Sequence, residues 1–115
     1  MDKINTVSKL LREVRLRLSQ ENGTVLTQAE LAAWYGIDPI VFNKYYNGKR
    51  APVGENLYKI GAKTPEIYNI LGISQTSQRI LELSEIYKNA PEELKDVLFE
   101  KFKKVIEELG ISPLD

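Results

Sequence analysis

The sequence predicts an all-α fold, with a five-helix head over residues 1–73 and a two-helix hairpin over residues 74–115. Three observations carry this. Apolar residues recur three and four positions apart along most of the chain, the spacing that gathers side chains on one face of a helix. Residues that start and stop helices punctuate those runs: Thr27 with Glu30, Gly36, Asp38-Pro39, Pro52 and Gly72. A polar stretch, SQTSQ at 74–78, forms the junction between the two parts.

Residues 5–19 place Val7, Leu10, Leu11, Val14 and Leu18 on one face with Arg12, Arg15 and Arg17 between them, which predicts the first helix. Asn22-Gly23 supplies turn chemistry, and Val25-Leu26 leads into a capping box. In that box Thr27 accepts from the Glu30 amide while the Glu30 carboxylate reaches back to the Thr27 amide. Leu31, Ala32 and Tyr35 share the inner face of the second helix, and Gly36 ends it in the left-handed conformation that only glycine adopts freely. Asp38 caps the third helix, and Pro39 suits its first position because an N–H there has no intrahelical acceptor. Phe42 and Tyr45 turn inward, whereas Ile40, Asn43, Lys44 and Asn47 share the opposite face.

Pro52 prevents any helix from continuing past Gly48-Lys49-Arg50, and residues 54–62 form a short fourth helix with Leu57 and Ile60 inward. Thr64-Pro65-Glu66 reads as a cap, a first-turn proline and an acid at the positive end of the fifth helix, which Gly72 closes. The hairpin follows as helices over 76–88 and 91–109, with Pro91 as a first helical residue. In its second arm Leu94, Val97, Leu98, Phe102, Val105, Ile106 and Leu109 make one broad apolar stripe with Phe99 on its edge. That stripe either packs on Ile80, Leu83 and Tyr87 and on the head, or meets a second copy. It is too short for a long coiled coil, so any interface is globular.

Over residues 27–50, TQAELAAWYGIDPIVFNKYYNGKR, a threonine-glutamine start leads to the pair Leu31-Ala32 and the apolar-glycine-apolar turn Tyr35-Gly36-Ile37. The inward residues Phe42 and Tyr45 and the basic run Gly48-Lys49-Arg50 then follow. In this order they resemble the helix-turn-helix of the Cro/repressor-type (XRE-like) DNA-binding domains of phages and bacteria. With Pro52, residues 57–60 and residues 67–71 matching that family's later helices, the resemblance covers roughly residues 5–73 and implies a phage-repressor-like head. It further implies double-stranded DNA as the partner, read in the major groove by the helix 39–47. The chain departs from the family at Tyr46, where a glutamate often pairs with a first-helix arginine. It departs also at Pro39, Ile40 and Val41, where Ser, Thr or Arg often face the bases. The family's base code is therefore not carried over.

Composition narrows the function classes. At 115 residues the chain suffices for one small domain, or a small domain with an appendage. It has no cysteine and no histidine, which fits a reducing cytoplasm and leaves no thiolate or imidazole metal site. No apolar run approaches the length that spans a bilayer, and the first residues lack the apolar core of a signal peptide. A cytoplasmic protein is expected. The adjacent acids Glu92-Glu93 and Glu107-Glu108 lie on a wet helix face rather than converging, and no glycine-rich phosphate loop exists. The expectation is no enzyme, no cofactor and no metal.

The formal net charge is zero, yet residues 1–73 carry ten Lys/Arg against seven Asp/Glu and residues 74–115 carry six against nine. A head this weakly basic holds few phosphates, so a homodimer is expected to supply the affinity. The candidate dimerisation residues are Leu98, Phe102, Val105, Ile106 and Leu109. The candidate DNA-binding residues are Gln28, Ile40, Asn43, Lys44, Asn47, Lys49 and Arg50. Asn43 and Asn47 suit adenine edges, Lys44 suits guanine or phosphate, and Ile40 suits a thymine methyl. Gln28, at the amino end of its helix, suits a phosphate, as do Lys49 and Arg50. Simpler roles compete with these: Asn47 as a helix cap, Lys49 and Arg50 as answers to a helix dipole, and Arg15 and Arg17 as wet-face charges rather than phosphate contacts. Trp34 is either covered by the hairpin or exposed as a partner site. The expected function is a sequence-specific DNA-binding transcriptional regulator, a repressor by default because a bound dimer excludes polymerase. The rival is a protein-interaction module, such as an antitoxin or adaptor, that uses the helix-turn-helix as scaffold.

Overall fold

The computed structural model describes residues 2–108 and 110. Among them every regular element is an α-helix: α1 Lys3–Asn22, α2 Gln28–Tyr35, α3 Pro39–Tyr46, α4 Gly54–Lys63, α5 Glu66–Leu71, α6 Gln75–Lys88 and α7 Glu92–Glu108. The chain divides into two compact units between Ile73 and Ser74. No helix among the described residues is long and apolar enough to cross a membrane.

In the first unit α1 packs against α3 and α5, α2 against α3 and α4, and α4 against α5. The helix α1 is longer than the apolar period alone predicts. The Asp2 carboxylate accepts from the Ile4 amide at 2.9 Å and so starts it two residues early. Val7, Leu11, Leu31, Phe42, Ile60 and Ile67 are wholly shielded from solvent, and each stabilises the fold by about 1.5–3 kcal/mol through removal of its side chain from water. Leu10, Val14, Ala32, Tyr35 and Tyr45 are buried as the spacing predicts, while Leu18 is half-buried. An aromatic row joins α2 to α3: Trp34, Tyr35, Phe42 and Tyr46 follow one another with centroids 4.9, 5.9 and 6.1 Å apart. A cation closes each end of that row, Lys63 at 4.3 Å over Trp34 and Arg12 at 4.4 Å over Tyr46. Trp34 is thus partnered within the first unit and keeps 38% of its surface exposed.

Helices α2, α3 and α5 end alike. The amides of Ile37, Lys49 and Ile73 return to the carbonyls of Ala32, Lys44 and Tyr68 at 2.9, 2.8 and 2.8 Å, with a left-handed glycine just before each. This is the Schellman closure, in which the glycine turns the chain and the next residue satisfies an orphan carbonyl. At α2 it also drops Ile37 into the core, 5% exposed.

Four local expectations are corrected by packing. Thr64 does not cap α5, whose amino end has no side-chain cap. Its hydroxyl is instead bonded at 2.6 Å to the Tyr35 hydroxyl inside the core. Arg15 belongs neither to a wet face nor to a free phosphate contact: its Nε donates to the Leu26 carbonyl at 2.6 Å and its Nη1 to the Tyr46 hydroxyl at 3.1 Å. The helix expected over 76–88 starts one residue earlier, at Gln75 within the SQTSQ junction, because Ser74 accepts from the Ser77 amide at 3.1 Å and caps α6. Pro91 lies just outside α7, its carbonyl accepting from the Leu94 amide at 3.0 Å.

In the second unit α6 and α7 pack as a hairpin, with Tyr87 and Phe102 edge to face at 6.2 Å. No described side chain of either helix is buried outright. Two helices alone leave part of every inward side chain open to water.

Candidate functional site

The site grows out of the way α3 is held. Asp38 accepts from the Ile40 amide at 2.8 Å and the Val41 amide at 3.3 Å, Pro39 opens the helix, and Phe42, Tyr45 and Tyr46 anchor its inner side. Burial of three aromatic residues in eight fixes the helix rotation. It leaves Ile40 75% exposed, with Asn43, Lys44 and Asn47 exposed beside it.

Ile40, Asn43, Lys44 and Lys49 come together with Pro39 around one shallow depression. Lys49 reaches it because the Schellman turn at Gly48 folds the chain back: the amides of Lys49 and Arg50 both donate to the Lys44 carbonyl, at 2.8 and 3.3 Å. The two cations therefore sit at the carboxyl end of α3, where the helix dipole also favours them. Arg50 is exposed but does not line the depression.

Asn47 is the C-cap of α3 and is not a free reader. Its Nδ2 donates to Asn43 Oδ1 at 2.6 Å, and its Oδ1 accepts from Arg12 Nη2 at 3.4 Å. Asn43 in consequence keeps both amide hydrogens and one lone pair for a ligand. Arg12 is the residue that sequence reasoning passed over. It donates to the Tyr46 carbonyl at 3.3 Å, stacks on the Tyr46 ring and holds Asn47, and so ties α1 to the exposed edge of α3. The Ser8 hydroxyl donates to the same Tyr46 carbonyl at 2.5 Å from within the core. A small polar residue amid an apolar face, four positions before an arginine, was the available signal. Tyr46 thus supplies a carbonyl, a ring and a hydroxyl to three side chains of α1, Ser8, Arg12 and Arg15.

Gln28 occupies the first position of α2 and is half-buried. The capping box forms as predicted, with Glu30 accepting from the Thr27 amide at 3.1 Å and Thr27 from the Glu30 amide at 3.0 Å. The Glu30 carboxylate thereby shares this helix end, and the Gln28 and Ala29 amides are left without intrahelical acceptors. Gln28 does not line the α3 depression.

In the hairpin, Phe102 and Ile106 are half-buried against α6, Leu98 is half-buried, and Val105 is 37% exposed. Leu109 lies outside the described residues. No group of His, Cys, Asp or Glu among the described residues is arranged to hold a metal ion. Comparison of the chain with protein-family models, curated proteins and solved structures gives no match.

Proposed function

We propose that the chain is a sequence-specific DNA-binding transcriptional regulator, a repressor, that acts as a homodimer and has no catalytic activity. In this reading α2, the Gly36 turn and α3 form a phage-repressor-like, XRE-like helix-turn-helix, and α3 enters the major groove. The observation that carries it is the outer edge of α3, where an exposed isoleucine, an amide and two lysines surround one depression on a helix fixed from behind by three aromatic residues. That combination fits a base-pair edge beside phosphates: apolar contact for a thymine methyl, hydrogen-bond donors for purine acceptors, and cations for the backbone. Asn43 and Lys44 face the bases, Ile40 supports them, and Lys49, Arg50 and Gln28 hold phosphates.

The test is titration of the full chain, Asn43→Ala and Lys44→Ala against a duplex selected from random sequence, over a range of salt. Each substitution is expected to weaken specific binding by about 1–3 kcal/mol while melting is unchanged. Absence of any sequence preference in the wild-type chain refutes the reading. It would favour the rival, a protein-interaction module of antitoxin or adaptor type, to which the zero net charge and the exposed Ile40 and Val53 lend support.

A further inference from the structure

The hairpin has an open apolar groove whose walls are Ile80, Leu83 and Tyr87 of α6 and Phe99, Phe102 and Ile106 of α7. Phe99 stands at its edge, 55% exposed. Along α7 the residues Glu92, Asp96, Phe99 and Lys103 are spaced by four, three and four, and so form one continuous ridge. The aromatic ring is at its middle, carboxylates precede it, and an ammonium follows it; Glu92 is already paired with Lys95 at 3.0 Å, which leaves Asp96 as the open acid of the ridge. Neither Asp96 nor Lys103 has an ionic partner among the described residues, and Lys103 itself borders the groove.

The wider charge pattern of α7 has this polarity in net terms: Glu92, Glu93 and Asp96 outnumber Lys95 in the first half, and Lys101, Lys103 and Lys104 outnumber Glu107 and Glu108 in the second, with Glu100 between them. The helix dipole explains the acids of the first turn. It does not explain the lysines, since the last turn of α7 carries no basic residue and ends in Glu107-Glu108. A ridge that is acidic, then aromatic, then basic is complementary to itself when reversed.

From this we infer that the groove is covered by a second copy of the same hairpin, the two α7 helices running antiparallel about a two-fold axis at Phe99. Phe99 of each copy enters the groove of the other, and Asp96 and Lys103, three positions before and four after it, form an ion pair twice across the interface. Such a contact is isologous, and joins two half-covered hairpins into a four-helix arrangement. Phe102 and Ile106 take part from within the groove, while Leu98 and Val105, about a third of a turn from Phe99 by helical spacing, flank the contact. The inference rests on the homodimer of the proposed function and gives that dimer its contact.

The experiment measures the mass of the full chain by sedimentation velocity on dilution, with circular dichroism to verify helix content. The wild type is expected to be a dimer, and Asp96→Lys or Lys103→Asp each to raise the dimer dissociation constant at least about tenfold by placing like charges together. The double variant Asp96→Lys/Lys103→Asp restores the pair in reversed order and is expected to return within about threefold of wild type. A monomeric wild type, or a double variant no tighter than the singles, overturns the inference. Operator binding is not the readout, so the two proposals fail separately. A rescued dimer without DNA affinity upholds the interface and removes the regulator, whereas a monomer that binds its operator removes the interface and the homodimer and leaves the DNA-reading face of α3 standing.

Discussion

The buried hydroxyl pair of Tyr35 and Thr64 offers a sharp test of how the first unit is held together. The two residues are 4% and 3% exposed, come from α2 and from the end of α4, and are bonded at 2.6 Å. Tyr35→Phe removes one partner and leaves the Thr64 hydroxyl buried, and Thr64→Val does the reverse with little change of shape. Each single change is expected to cost about 1–3 kcal/mol, because a buried polar group that loses its partner retains its full desolvation penalty. The double variant leaves no polar group behind and is expected to cost less than about 1 kcal/mol, so the coupling is at least about 1 kcal/mol. Thermal melts of the four proteins measure this, at about 4 °C per kcal/mol for a chain of this size. Strict additivity of the singles refutes the argument. The same pair predicts a pH dependence. Burial pushes the Tyr35 hydroxyl above its ordinary value of 10.0, the Thr64 bond pulls it down, nearby Glu66 raises it and Arg17 lowers it. A raised folded value means that the folded state holds the proton longer than the unfolded state. The stability is present in full below pH 10.0 and is lost as pH rises beyond it. Tyr35→Phe removes this loss, and Thr64→Val shifts the Tyr35 titration, followed by ultraviolet absorbance, further upward.

Gly61 and Gly36 are expected to separate two reasons for glycine. A Cβ at Gly61 collides with the Tyr68 ring of α5, so Gly61→Ala costs about 1–3 kcal/mol by overpacking. A Cβ at Gly36 meets nothing, so Gly36→Ala costs about 1–2 kcal/mol through its φ of 77° alone and Gly36→Val rather more, with a fold still formed; a denaturant series on the three variants decides this. Arg12→Ala removes the stack on Tyr46 and the hold on Asn47, and is expected to lower stability by about 0.5–1 kcal/mol and to weaken operator binding several-fold, read by melts and titration. Phe42→Ala, at a fully buried position between two rings, is expected to cost about 3–5 kcal/mol and to abolish a cooperative melt near room temperature.

Local chemistry made much of this protein legible in its sequence. The capping box at Thr27 and Glu30, the left-handed Gly36, the Asp38-Pro39 start of α3 and the inward Phe42 and Tyr45 are each set by residues within one turn of one another. Helix period and cap preference act over that range, so the all-α class and the outer face of α3 follow from the residue order. Only tertiary structure decided where polar side chains with several possible partners go. Thr64 left its cap for a hydroxyl 29 positions away, Arg15 found a carbonyl 11 positions on, and Arg12 reached across 35 positions to Asn47. For Thr64 and Arg15 the requirement is the same: a buried or half-buried polar group must be satisfied by whatever the fold brings near, and no local spacing records what that will be; Arg12, though exposed, takes its partners from the same tertiary neighbourhood. Gly61 makes the converse case, for its need to be small is written in a tyrosine on another helix.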